Sequence, residues 1–248
     1  MRGTLVVIVG LALFAGAAAA ETAEEIVAKY VQNVGGMGKI QAVKTLRRTG
    51  KFIGDGGFEA RVVQENKRGN LVREEFSMQG LTGINAYDGK TGWKVQPWRG
   101  KKDPEPMGEE EMKGILEDSD FDGPLVNYQQ KGNKVEFAGM DEVEGTDVFK
   151  LKATLPNGDV FCYYMDTDHY VPIKVETKRM VRGAEREYET MLGDYKEVSG
   201  WYLPFASESG VKGSQDRSQV VYAKIEANVP IADSRFSKPV TGNTEPKP

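Results

Sequence analysis

The sequence predicts a mainly β protein with some α: one antiparallel sheet of about ten strands, covered by an N-terminal helix and a mid-chain helix. Three observations predict it. Apolar and charged residues alternate with period two over most of the chain, as where Val171, Ile173 and Val175 oppose Lys174, Glu176 and Lys178. Turn residues recur about every ten positions, the rhythm of short antiparallel strands. Only two stretches carry helical periodicity, and a sheet with one charged and one apolar face needs cover for the second.

Taken in order, residues 1–20 read as a cleavable secretory signal. Arg2 forms the positive end, Leu5 to Phe14 the apolar run, and Ala18-Ala19-Ala20 the small-x-small pattern before Glu21. The run is shorter than the roughly 20 residues that cross a bilayer. The only cysteine, Cys162, lies far from the cleavage point, so no lipid anchor is expected and the mature chain should be soluble in the periplasm. Thr22 and Glu25 then form a capping box that opens an amphipathic helix with Ile26, Tyr30 and Val34 on one side. Gly35-Gly36 ends it, and a short turn from Lys39 to Val43 leads to the first strand, Thr45 to Phe52.

Phe58 to Glu65 and Leu71 to Met78 alternate as strands, the second with Glu74 intruding on its apolar side. Asp88-Gly89 turns Ile84 to Tyr87 back as Trp93 to Val95, and Asn157-Gly158 joins Val148 to Leu155 with Val160 to Asp166. The loop "KKDPEPMG" precedes the second helix, Glu109 to Glu117, whose stripe is Met112, Ile115 and Leu116. Strands ending near Lys178, Leu192, Phe205 and Ile225 complete the sheet. The expected domain is 21–239, and 240–248 should be a disordered tail.

The residues point away from catalysis. The single histidine, His169, sits in the turn "DTDHYVP", no G-x-S-x-G elbow is present, and Cys162 alternates within a strand as a small hydrophobe. "DSDFDG" places Asp118, Asp120, Asp122 and Gly123 like half of a calcium loop, but the closing carboxylate position is Gln129 and the backbone-ligand position Pro124. An acidic turn at a helix end is the better reading. "GGMGKIQ" lacks the phosphate-loop spacing. No enzyme, cofactor or metal site is expected. A net charge of −4 argues against nucleic acid; Arg47-Arg48 and Lys101-Lys102 read as solvated surface. Phe76, Met78, Trp93, Trp98, Phe161, Tyr163 and Met165 are the candidates to line an apolar cavity, and the strand Val160 to Met165, apolar on both faces, should be central.

Three segments carry a family likeness: "AEEIVAKYVQNVGGMGKIQAVKTLRRTGK", "GINAYDGKTGWKVQPWRGKKDPEPM" and "DFDGPLVNYQQKGNKVEFAG". In order and spacing the chain resembles the outer-membrane lipoprotein-sorting (LolA-like) superfamily, in a poorly characterised periplasmic branch. The resemblance implies a strongly curved sheet forming an incomplete β-barrel, closed by a helical lid over an apolar cavity that takes acyl chains. Val27, Tyr30, Met112, Ile115 and Leu116 would then be the lid. The implied role is a monomeric carrier for lipid or acylated lipoprotein, meeting inner- or outer-membrane envelope components. A non-catalytic envelope sensor or protein-interaction module is the alternative, with a lipid hydrolase third. Arg61, Arg73 and Arg186 all fall on strands, and none is privileged as a cavity arginine.

Overall fold

The structure, a computed structural model, describes residues 21–239. The signal-peptide and tail readings lie outside those residues. Thirteen strands form one antiparallel sheet: β1 (Thr45–Ile53), β2 (Glu59–Lys67), β3 (Leu71–Met78), β4 (Leu81–Tyr87), β5 (Gly92–Gln96), β6 (Lys101–Pro106), β7 (Lys134–Val143), β8 (Thr146–Thr154), β9 (Val160–Asp166), β10 (Pro172–Val181), β11 (Ala184–Val198), β12 (Trp201–Val211) and β13 (Ser218–Ala227). Their order is β6-β5-β4-β3-β2-β1-β13-β12-β11-β10-β9-β8-β7. The sheet therefore closes β1 onto β13 and leaves β6 and β7 as free edges, so the barrel is incomplete.

The thirteen strands exceed the about ten that alternation predicts, and β6 and β7 are the two it does not mark. The Pro-rich loop before the second helix is in fact the edge strand β6. Pro104 and Pro106 are tolerated there because an edge strand needs only half of its backbone groups paired. β7 is the other edge; its alternation is broken at Ala138-Gly139, where the pairing with β8 shifts register between Phe137 and Met140.

Helix α1 (Ala23–Asn33) is opened by the capping box: the Glu25 amide donates to Thr22 Oγ1 at 3.2 Å, and the Thr22 amide donates to Glu25 Oε2 at 2.8 Å. Helix α2 (Met37–Ala42) follows the two glycines. Both lie in the curve of the sheet. Val34, Ile40, Val43 and Leu46 pack with Trp201, Leu203, Phe205 and Ile225, and Ile26 and Val27 pack with Leu151, Phe161, Tyr163 and Met165. Tyr30 and Val31 touch both clusters. One short helix can bridge β8–β9 and β12–β13 only if the sheet bends around it. Segment 121–128 joins this plug through Phe121, Leu125, Val126 and Tyr128.

The outer face is ordered separately. Residues 228–239 run over β1–β5, where Arg235 meets Glu65 at 2.9 Å and Glu75 at 2.9 Å, and the Trp93 indole N–H donates to the Phe236 carbonyl at 2.6 Å. On β7–β11 the outer face holds Val143, Val148 and Tyr164, with Cys162, Ile173 and Met191 beside them.

Candidate functional site

The plug fills only part of the sheet's curve. Over the remainder lies helix α3 (Glu109–Ser119), which begins with Glu111 Oε2 accepting from the Gly108 amide at 2.9 Å. One flank rests on β2–β5. Met112 sits so close to Gly92 that a Cβ there would lie 2.4 Å from its sulfur, Lys94 pairs with Glu111, and Asn66 Nδ2 donates to the Asp118 carbonyl at 2.8 Å. The other flank reaches β10: Arg179 Nη2 donates to Glu117 Oε2 at 2.5 Å, and Lys113 Nζ lies 3.4 Å from the Met180 carbonyl. Held on both sides, α3 is a strap across the open face of the half-barrel.

Two cavities flank this strap and share Glu117, Asp120 and Pro124. The larger, about 690 Å³, has Leu116, Leu155, Phe161 and Met180 on its walls beside a polar rim of Lys113, Glu117, Asp120, Lys131, Asn133 and Asp159. The smaller, about 380 Å³, is lined by Arg48, Asp118, Leu192, Leu203, Ser207 and Tyr222. Such volumes suit a small organic ligand or part of a chain. Strand pairing extends the apolar floor: Leu192 opposes Ser207, Ser207 opposes Val220, and Val220 opposes Phe52, while Val62 opposes Phe76 in the adjacent rows. Leu192, Val220, Phe52 and Phe76 are all only half-buried, unlike the residues beneath α1 and α2.

A polar cluster marks the base of the groove. Arg48 Nη1 donates to Asn66 Oδ1 at 2.7 Å and to Gln64 Oε1 at 3.0 Å; Gln64 Nε2 donates to Glu74 Oε1 at 2.9 Å. Burial raises the Glu74 carboxyl above the usual range and lowers the Arg48 guanidinium. Asp118 is raised well above the usual carboxylate range, first by desolvation and then by Glu74 and Glu117. Its side chain is accessible and lines the smaller cavity. The adjoining Tyr222 phenol is pushed up to about 12 by burial. An apolar slot with a desolvated, mixed-charge base is suited to holding an amphiphile.

The acidic turn divides its carboxylates among different partners. Asp122 takes a bidentate pair from Arg68 at 2.6 and 3.0 Å, Asp120 takes Lys131 at 2.6 Å, and Asp118 faces the groove. Among the described residues no group of three or more such ligands is placed to hold a metal ion. His169 lies in its turn with Nδ1 3.0 Å from Asp166 Oδ1, and both line a different cavity with Asn33, Tyr195 and Tyr202.

The candidate cavity residues are split by the structure. Phe161, Tyr163 and Met165 share the inner face of β9; they are buried against α1, and Phe161 also reaches the larger cavity. Phe76 lines a small opening with Trp98, whose ring covers Gly83, and Met78 shares the inner row of Phe76. Trp93 belongs to the opposite row, under Phe236 on the outer face, and faces no groove. Of the lid candidates, Val27 and Tyr30 are part of the plug, while Met112, Ile115 and Leu116 are on the strap.

Sequence reasoning missed Arg48, Gln64, Arg179 and Leu192, and read Asp118 only as part of an acidic turn. Arg48 is not the solvated surface residue its pairing with Arg47 suggests. A signal was present: Arg48 lies between Leu46 and Gly50 on the apolar row of β1, as Glu74 does on β3.

No protein-family model matches the chain, and no curated protein matches it in sequence. Solved structures do. A domain described as an outer membrane lipoprotein-sorting protein from Vibrio parahaemolyticus superposes with a TM-score of 0.58 at 12% identity, over 86% of this chain and 95% of its own. A LolA superfamily protein from Nitrosomonas europaea gives 0.59 at 12% identity, over 88% and 99%. A DUF1329 family protein from Desulfovibrio piger gives 0.59 at 11% identity, over 88% and 98%. The chain has the LolA-like incomplete-barrel fold along nearly all of its described length. Among the described residues no helix is long and apolar enough to cross a membrane.

Proposed function

We propose that this chain is an exported, periplasmic carrier that takes the acyl chain of a lipid or acylated lipoprotein into the groove beneath α3. One observation carries the reading: the inner face beyond the plug continues as a half-buried apolar floor, reached at Leu192 by the smaller of the two cavities of about 380 and 690 Å³ that flank the strap. The likeness in fold to a lipoprotein-sorting domain supports it. Removing a chain from water contributes about 0.8 kcal/mol per methylene, so an apolar slot needs few polar contacts to bind one. The polar base would then meet the head of the amphiphile, or solvent beside it.

The test uses protein stripped of lipid by denaturation and refolding, titrated with a fluorescent long-chain fatty acid, with native mass spectrometry of the unstripped protein alongside. Saturable binding is expected, weakened at least tenfold in Leu192→Trp, where the larger ring fills the smaller cavity. Folded protein that neither binds the probe nor retains lipid ends the carrier reading.

A further inference from the structure

The exposed large apolar residues of this protein are unevenly placed. Because the strands alternate in direction, the turns β1–β2, β3–β4, β5–β6, β8–β9, β10–β11 and β12–β13 all lie on one margin of the sheet. On or beside those turns stand Phe58 (50% exposed), Leu81 (38%), Trp98 (43%), Met180 (50%) and Val211 (46%). Toward the other margin stand Tyr202 (43%) and, three residues before β7 ends at the β7–β8 turn, Met140 (58%). The apolar margin runs into the groove: Phe58 lies 5.7 Å from Phe52 between ring centroids, Phe52 lies 6.0 Å from Phe76, and Phe76 shares an opening with Trp98.

Charge follows the same margin. Lys51, Lys101 and Lys178 are matched by Glu59, Glu105 and Glu185. Arg61, Arg99, Lys102, Arg182 and Arg186 make no ion pair among the described residues, against Asp55, Asp103, Glu208 and Asp216 on the acidic side. In a chain of net charge −4, this margin carries a local excess of free cations.

We infer that this margin docks on the surface of an anionic lipid bilayer, inserting Phe58, Leu81 and Trp98 at the interface while Arg61, Arg99 and Lys102 meet the headgroups. A bilayer fits these features better than a protein does. The apolar side chains stand on separate turns with cations between them, and a fluid interface accepts separated insertions, whereas a protein partner needs one matched surface. An exposed tryptophan beside arginine and lysine is suited to the headgroup region. Docking there would place the groove mouth against the membrane, so that an acyl chain could pass without crossing water. The inference goes beyond the carrier reading and can hold or fail independently of it.

The experiment mixes the signal-free chain with vesicles of phosphatidylcholine, with and without phosphatidylglycerol, and reads co-sedimentation and quenching of tryptophan emission by brominated lipid. Trp93 and Trp201 are 1% and 2% exposed, so quenching reports on Trp98. Expected are phosphatidylglycerol-dependent binding and quenching, each reduced about tenfold or more in Phe58→Ser/Leu81→Ser and in Arg99→Glu/Lys102→Glu, with salt weakening the wild type. Thermal unfolding followed by circular dichroism, measured in parallel, should show the same cooperative transition in both variants as in the wild type, so that loss of vesicle binding is not loss of fold. Equal sedimentation with and without phosphatidylglycerol, or binding undiminished in the variants, overturns the inference. So does self-association that the serine variants abolish in protein that ignores vesicles, which would make the margin a contact between copies.

Discussion

Gly35 ties the plug to the sheet. It has φ of 122°, and a Cβ there would stand 1.9 Å from the Gly200 carbonyl oxygen, in the turn that starts β12. Next to it, the Tyr202 amide donates to the Val34 carbonyl at 2.9 Å. Gly35→Ala therefore combines backbone strain with a collision against main chain that cannot swing aside. We expect a loss of at least about 2 kcal/mol in chemical denaturation, against no loss for Gly38→Ala, which meets open space inside helix α2, where alanine is the better helix former. Asp118 should act in the opposite direction. A carboxyl whose folded pKa is raised contributes stability below its unfolded value, near 3.8, and loses it as pH rises through the folded value. Asp118→Asn is thus expected to raise the melting temperature at pH 7 to 8, the gain fading as pH falls toward 4. A gain independent of pH would show that Asp118 is not desolvated. Neither the collision at Gly35 nor the environment of Asp118 could be read locally. "GG" after an amphipathic helix announces a stop, but Gly200 is distant in sequence, and the groove around Asp118 is assembled from β1, β2, β11, β12, β13 and α3.

At the scale of elements, the strap depends on few contacts. α3 buries Ile115 but leaves Leu116 44% exposed, and on the β10 side it is held by Arg179 on Glu117. Burial raises the Glu117 carboxyl even though Arg179 opposes the shift, so the pair sits in a partly desolvated place. Allowing for partial exposure of Glu117, its loss is worth about 1 kcal/mol. Glu117→Gln should speed amide exchange within α3 several-fold while α1, which is part of the plug, is unaffected. Equal acceleration in both helices would mean that α3 opens only with the whole fold. The elements were legible to different degrees, for physical reasons. Capping box and apolar spacing identified α1, and Asp88-Gly89 and Asn157-Gly158 identified their hairpins. β6 was hidden because an edge strand can carry prolines and charges, and β7 because its bulge interrupts alternation. The residues assigned to a lid divided because α1 and α3 have the same kind of apolar stripe; only tertiary packing makes one a plug and the other a strap.

Across the whole molecule the interior has two unequal halves. Under α1 and α2 it is filled, with Ile26, Ile40, Leu46 and Leu151 fully buried, and under α3 it is floored by half-buried side chains around open volume. Composition and periodicity could establish an apolar inner face, but not which part of it is filled, because Phe161 in the core and Phe76 in the groove look alike in sequence. The division makes a testable statement about ligand and stability. A chain bound in the open half adds contacts to α3 and to β1–β3 and β11–β13, and none to the plug. At a ligand concentration a hundredfold above Kd, global stability should rise by about 2.7 kcal/mol through mass action alone. Local protection should be uneven: exchange that proceeds by local opening slows in α3 and around Leu192 and Val220, while amides of α1 that exchange by global unfolding slow only by the global amount. If fatty acid instead protected α1 most, with α3 unchanged, the chain would be entering the plug, and the groove beneath the strap would not be its site.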